Sequence, residues 1–201
     1  MISKGSVVYP AKSFEIDSKG IVWDLATSPS GTGTLKLSGD LKPGWLGRLS
    51  SHLSHQKINI RWGTARKCSS LSWVASFEIE DRYNHSDPFR GFDPLPAVIG
   101  PDEHLELPTL NISDFQVERS TLNGGCIYTE ISGKDCIGFL FGILRIFSFY
   151  SLFPTELEIS TKGMIVFDRF WLKGIGASVP TSDNLTALNE RIMVLSGKSR
   201  L

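Results

Sequence analysis

Two stretches of this chain share one layout: a polar or charged entry, a glycine, and then an apolar repeat with helical spacing. They are "LKPGWLGRLSSHL" at residues 41–53 and "DCIGFLFGILRIF" at residues 135–147. Their glycines, Gly44 and Gly138, lie 94 residues apart (138 − 44 = 94). This period is too long for a solenoid repeat and suits a duplicated small domain. The sequence therefore predicts two copies of one small fold.

Strand patterns follow each of these helices. "INIRWGTA" with "LSWVASFEIE", and "LEIST" with "MIVFDRFWL", alternate as two hairpins. "TSDNLTALNERIMVLSG" predicts a closing helix capped by Thr181 or Ser182. Prolines allow only a short helix near Pro94 to Ile99. No strand pattern follows the closing helix, so we expect the segment before Leu25 to complete the second sheet.

The second helix, predicted from Phe139 to Phe153, is apolar around most of its circumference. The residues in it that are not strongly apolar are Gly142, Arg145, Ser148 and Ser151. Such a helix would span about 22 Å, short of the roughly 30 Å core of a bilayer. It should therefore be buried in protein, with its excess apolar surface at a domain interface or in a homodimer.

Composition excludes several classes of function. Lys plus Arg (21) balances Asp plus Glu (21), so no net field indicates nucleic acid or a membrane surface as a partner. The three cysteines, Cys68, Cys126 and Cys136, form no CxxC pair, which argues against a disulfide framework and favours a reducing cytoplasm. The N-terminal residues lack the apolar core of a signal peptide.

The turn before the first helix carries a resemblance to a known family. "LKPGWL" has Lys42, Pro43 and Gly44 in the positions of an acidic-basic-Pro-Gly-aliphatic turn, with Leu41 in place of the acid and Asp40 one position early. This turn resembles the opening of ACT domains, especially the tandem ACT domains at the C-terminus of bacterial nitrogen-sensing uridylyltransferases. The resemblance covers roughly residues 34–80 and 126–196.

The second turn resembles the same motif less closely. "DCIGFL" keeps Asp135 and Gly138, while Cys136 and Ile137 stand where the family has a basic residue and proline. "ISTKGMIVFDRFWL" and "LTALNERI" look like the second hairpin and closing helix of the family. The resemblance implies an α+β fold of two ferredoxin-like βαββαβ units packed side by side. We assign residues 1–33 to N-terminal strands or a linker, 34–121 to the first unit and 122–201 to the second.

Each glycine turn is a plausible ligand site. Glycine lets a ligand approach the backbone closely, and the first N–H groups of a helix have no intrahelical acceptor, so they favour a carboxylate. We expect the two turns to share one crevice between the units. The candidate ligand-binding residues are Asp40, Lys42, Gly44, Trp45, Asn59, Asp135, Gly138 and Phe139.

Simpler interpretations of these residues stay open. Gly44 and Gly138 suit any tight strand-to-helix turn, the two aspartates suit caps or solvated turns, and Asn59 suits an edge strand. His52 and His55 stand three residues apart but lack a fourth ligand, so no metal is expected. Cys136 could be reactive at a helix N-terminus, although burial is favoured.

The function predicted from the sequence is non-enzymatic regulation. The resemblance implies a small-molecule effector, an amino acid, bound where two units meet, with no cofactor. One alternative is a ligand-free interaction module that dimerises through residues Phe139 to Phe153. Another is an enzyme, which the fold does not exclude, although no GxSxG, HExxH or P-loop motif is present.

Overall fold

The computed structural model describes residues 15–16, 20–70, 72–83, 89–101 and 106–198, with residues 15–16 described as backbone only. The strands are β1 (Glu15–Ile16), β2 (Val22–Thr27), β3 (Thr32–Asp40), β4 (Ile58–Lys67), β5 (Ser72–Asp81), β6 (Ile112–Ser120), β7 (Cys126–Lys134), β8 (Phe153–Lys162) and β9 (Ile165–Lys173). The helices are α1 (Trp45–His55), α2 (Leu95–Ile99), α3 (Phe139–Phe149) and α4 (Ser182–Leu195). The predicted α+β class is confirmed.

The strands form one sheet in the order β1-β2-β3-β5-β4-β8-β9-β7-β6, and every neighbouring pair is antiparallel. The order strand, strand, helix, strand, strand, helix runs from β2 to α2, which we call the first half, and again from β6 to α4, the second half. The halves join where β4 pairs with β8, from Trp62 opposite Ser160 to Arg66 opposite Glu156. We call this pairing the seam.

Each half begins in the sequence with a strand that pairs on the outer side of that half. β2 pairs with β3 in the first half, and β6 pairs with β7 in the second. The expectation that the N-terminal segment completes the second sheet is therefore wrong. A tight connection explains the difference, because Gly124 (φ 71°) and Gly125 (φ 89°) turn the chain directly from β6 into β7. The rest of the predicted N-terminal strand pair, residues 6–14 and 17–19, lies outside the described residues.

One face of the sheet is covered and the other is open. Along β5, Trp73, Ala75, Phe77 and Ile79 are buried, whereas Val74 between them is 52% exposed. This alternation is typical of an antiparallel sheet that has helices on one side and solvent on the other. The buried side chains of both halves form one core cluster, which also includes side chains of all four helices.

Helix α3 is shorter than predicted and is largely covered within the chain. It ends at Phe149 because Ser151 adopts a positive φ of 55° and the chain enters β8 at Phe153. Helix α1 packs against it, and a Cβ added to Gly142 would lie 3.0 Å from Leu110. Most of its apolar perimeter is therefore satisfied by the same chain, although Phe149 is 82% exposed. In the part of the chain that the structure describes, no helix has both the length and the apolar character needed to cross a membrane.

Candidate functional site: two helix corners beside the seam

Both predicted corner glycines have the conformation that requires glycine. Gly44 and Gly138 precede α1 and α3 with the same φ of 83°, a left-handed value that side chains with a Cβ rarely adopt. Neither helix has a side-chain cap at this end. The first N–H group of each helix donates within its own turn, from Trp45 to Lys42 and from Phe139 to Cys136, and the N–H groups that follow it have no intrahelical acceptor.

The two corners face opposite ends of an antiparallel helix pair. Gly44 lines a cleft together with Leu144 and Ser148, which lie in the later part of α3. Gly138 instead faces the later part of α1, and a Cβ placed on it would lie 2.6 Å from Ser54 Oγ. The single shared crevice expected from the sequence does not form. Each corner meets the other half in a separate place, which we call the open cleft at Gly44 and the closed corner at Gly138.

The closed corner is filled by polar side chains of this protein. Asp135 is 6% exposed, and its carboxylate pairs with the guanidinium of Arg82. Asn59, from the first half, donates from Nδ2 to Asp135 Oδ2 at 3.1 Å. The carboxylate is therefore already bound by a cation and an amide before any ligand arrives.

A second carboxyl group lies beside this pair. Asp168 on β9 is 1% exposed, and its Oδ1 has no hydrogen-bond partner. Burial raises the pKa of Asp168 to about 8, against a smaller opposing effect of a hydrogen bond from the Ser160 backbone, and the nearby Asp135 raises it further. At neutral pH this carboxyl group is mostly protonated, so the negative charge at the closed corner is that of Asp135, which pairs with Arg82.

The space left at the closed corner is very small. Asn59, Asp135, Gly138, Phe139 and Asp168 line a cavity of about 20 Å³. A cavity of this size holds about one water molecule. An amino acid therefore does not fit there unless the Arg82–Asp135 pair opens.

The open cleft is large enough for a ligand. Its volume is about 760 Å³, within the range of about 300–1,000 Å³ that is usual for small-molecule sites. Gly44 and Trp45 lie on one wall, and Trp45 packs edge-on against Trp73 with ring centroids 5.5 Å apart. Phe141 and Leu144 of α3 lie on the opposite wall. The cleft thus combines a helix N-terminus of the first half with an apolar wall of the second.

The charges around the open cleft all have one sign. The basic residues that line it are Arg48, Lys67, Arg145 and Lys173. Of the described residues that line it, none is Asp, Glu, His or Cys. Arg48 is held in place because its guanidinium donates to the carbonyl oxygen of Val98 at 2.9 Å. The cleft therefore favours an anion.

The predicted site residues divide among three places. Gly44 and Trp45 line the open cleft, and Asn59, Asp135, Gly138 and Phe139 line the closed corner. Asp40 and Lys42 are exposed and line neither cavity. The structure thus brings Asn59 and Asp135 together across the halves but does not bring the two corners together.

Sequence reasoning missed several residues at these sites. Asp168 had a signal, because it occupies a buried position in the alternating strand "IVFDRFWL". Arg82 follows the end of β5, and Lys173 ends β9; neither belongs to a motif. Ser51 lies on α1 outside the apolar stripe of that helix, so no sequence pattern marks it as a site residue. In the structure it lines the open cleft.

The alternative chemistries considered from the sequence find little support. Cys136 is half-buried, and burial together with the Asp135 charge raises the pKa of its thiol, which disfavours the reactive thiolate. Among the residues that the structure describes, no three His, Cys, Asp or Glu side chains are grouped so that they could hold a metal ion.

Comparison with known proteins leaves the family open. No protein-family model matches this chain, and no curated protein matches it. A crystal structure of aspartate kinase from Synechocystis superposes with a TM-score of 0.45 and 14% identity, covering 82% of this chain and 27% of that chain. A crystal structure of an unknown protein from Galdieria sulphuraria gives a TM-score of 0.27 and 11% identity, covering 83% and 94%. Scores of this size do not establish a shared function.

Proposed function

We propose that this chain is a non-enzymatic regulatory protein of two ACT-like, ferredoxin-like units that binds a small-molecule effector between its halves. Its twofold strand, strand, helix, strand, strand, helix order supports the two-unit interpretation. The glycine corners with identical φ support the resemblance to ACT domains. The specific likeness to uridylyltransferases stays a prediction, as do the domain boundaries.

The open cleft is the proposed effector site. The observation that carries this proposal is its volume of about 760 Å³ between an uncapped helix N-terminus of one half and an apolar wall of the other. A ligand there would contact both halves and would stabilise whichever packing of the seam binds it better. Binding of the effector would thereby change the arrangement of the two units. Such coupling between ligand binding and protein arrangement is what a regulatory protein requires.

The composition of the cleft favours binding over catalysis. General acid-base chemistry near neutral pH most often uses His, Asp or Glu at the reacting atoms. The described residues that line the cleft supply basic, apolar and hydroxyl side chains, and none of them is His, Asp, Glu or Cys. The three free cysteines, Cys68, Cys126 and Cys136, are compatible with the proposed cytoplasmic location.

Blocking the cleft tests the proposal. Gly47 lies on α1 at the cleft, and a Cβ added there meets no atom within 4 Å. Gly47→Trp should therefore fill the cleft without disturbing the core, while Gly47→Ala is the matched control that leaves the space open and stabilises the helix by about 1 kcal/mol. Thermal unfolding would be measured with the twenty amino acids and a library of organic acids.

We expect at least one compound to stabilise the wild type and Gly47→Ala but not Gly47→Trp. A ligand present at about 100 times its Kd adds about 2.7 kcal/mol to the free energy of unfolding. Mass spectrometry should recover the ligand chemically unchanged after incubation, as expected of a non-enzymatic protein. A library with no stabilising compound, or a compound that stabilises all three proteins equally, would refute the cleft as effector site.

A second candidate function is a ligand-free dimerisation module. Phe149 supports it, because this aromatic side chain at the end of an apolar helix is 82% exposed. The rest of α3 is mostly covered by its own chain, which leaves little of that helix for a partner. We therefore place this candidate second.

A further inference from the structure

We propose that the open cleft takes a monoanionic amphipathic molecule, a carboxylate on a hydrocarbon body, rather than a zwitterionic amino acid. The inference rests on the proposed function, because it names the chemical class of effector for the same site. Three independent features of the cleft lead to it: the sign of its charges, a buried ammonium group and a buried hydroxyl group without a partner.

The first feature is the single sign of charge. A free amino acid brings an ammonium group together with its carboxylate, and proteins usually receive the ammonium with carboxylates or carbonyl oxygens. The charged residues lining the open cleft are instead all basic, including Arg145 on the α3 wall and Lys67 at the end of β4. An ammonium group would therefore face like charges and lose water, whereas a carboxylate alone would gain attraction.

The second feature is Lys173 at the end of β9. This residue is only 7% exposed, and its Nζ donates to the carbonyl oxygen of Gly124 at 3.3 Å. Within the described part of the chain it has no carboxylate partner. An ammonium group carries three N–H donors, and burying it with one neutral partner is costly. The Gly124 carbonyl oxygen does not line the cleft, so a carboxylate bound in the cleft would have to draw this ammonium group toward it, and would then supply both the missing charge and the missing acceptors.

The third feature is Ser51 on α1. The residue lines the open cleft, and its Oγ is buried and has no hydrogen-bond partner. A buried hydroxyl group without a partner costs free energy unless a ligand or water satisfies it. The same wall begins at the Gly44 corner, where α1 has no side-chain cap and the N–H groups that follow Trp45 also favour an anion. Both donors suit the head of a carboxylate.

The remaining walls describe the body of the ligand. Trp45, Trp73, Phe141, Leu144 and Phe153 give the cleft a mainly apolar surface. The volume of about 760 Å³ is in the range that holds a drug-sized ligand. A hydrocarbon chain or ring attached to the carboxylate would bury its surface against these side chains.

Four probes with one chain length separate the chemical classes. Octanoate carries the anion, octan-1-ol is neutral, octylammonium is cationic, and 2-aminooctanoate is the zwitterion of the same chain. Binding would be measured by calorimetry and by intrinsic tryptophan fluorescence, to which Trp45 and Trp73 at the cleft contribute, at constant pH and ionic strength. We expect octanoate to bind at least about tenfold more tightly than each of the other three, as the loss of a charge-assisted hydrogen bond implies.

Variants test the assigned residues. Lys173→Met keeps the straight side chain, removes the charge, and should weaken octanoate about tenfold while leaving octan-1-ol unchanged. Lys173→Arg should restore most of the affinity. Ser51→Ala should also weaken octanoate, although it removes an unsatisfied group from the free protein. Lys134→Met, at an exposed position outside both cavities, is the matched control and should have no effect.

The outcomes distinguish failure of the anion proposal from failure of the proposed effector site. If 2-aminooctanoate or an amino acid binds more tightly than octanoate and Gly47→Trp abolishes that binding, the anion proposal fails and the effector site survives. Equal binding of octan-1-ol and octanoate, or an octanoate affinity unaffected by both Lys173→Met and Ser51→Ala, also overturns the proposal. If no compound binds in a way that Gly47→Trp blocks, both proposals fail.

Discussion

The buried carboxyl group of Asp168 makes the stability of this protein depend on pH. Replacing it by asparagine keeps the size and polarity of the protonated carboxyl group but removes its titration. The pKa of Asp168 is raised from 3.8 to about 8, chiefly by burial. Between these values the folded protein keeps a proton that the unfolded chain releases. The stability that this proton contributes is therefore lost as pH rises from about 4 to about 8.

The magnitude follows from the width of that window. Each pKa unit corresponds to about 1.4 kcal/mol, so the three units between pH 5 and pH 8 amount to about 4 kcal/mol. Asp168→Asn does not titrate, so its free energy of unfolding should rise relative to that of the wild type by about 4 kcal/mol over this interval. Contributions from groups that do not interact with Asp168 cancel in the difference between the two proteins.

Urea unfolding followed by circular dichroism would measure this difference at pH 5, 6, 7 and 8. Asp40→Asn, the same substitution at an exposed position, is the control. A difference for Asp168→Asn that stays constant within about 1 kcal/mol across the interval would refute the reasoning. It would mean that the carboxyl group is ionised in the folded protein and has found a partner or water.

Two further predictions concern the closed corner and the second candidate function. Arg82→Met leaves Asp135 buried with only an amide partner and should lower the free energy of unfolding by about 2 kcal/mol. This loss is smaller than the cost of breaking a fully buried ion pair, because the Arg82 side chain is one-third exposed. In the same urea titrations Arg61→Met, which removes a surface pair, should cost less than about 0.5 kcal/mol, and equal effects would contradict the role of the closed corner. Light scattering on Phe149→Glu tests the dimerisation module: any dimer formed through α3 should dissociate without loss of helicity, and a dimer mass that persists rejects that interface.

Local sequence was sufficient for most elements of this fold. The apolar spacing of α1 and α4, the alternation in β5 and β9, and the proline limit on α2 each depend on residues within one element. The corner glycines could also be predicted from local sequence, because a left-handed φ of 83° is sterically open to glycine and rarely to other residues. Periodicity within a short segment is visible in a single sequence, so these predictions could be made.

Only the tertiary structure decided how these elements meet. The β4–β8 seam is a pairing of strands nearly a hundred residues apart, and no local pattern specifies it, since its free energy is summed over both halves. That seam sets α1 antiparallel to α3, so the two corners face opposite ways and acquire different surroundings. Arg82, Asp168 and Lys173 gain their roles from burial and from neighbours brought in by the fold. The sequence by itself determined that two similar corners exist, and the packing decided that one is closed and the other open.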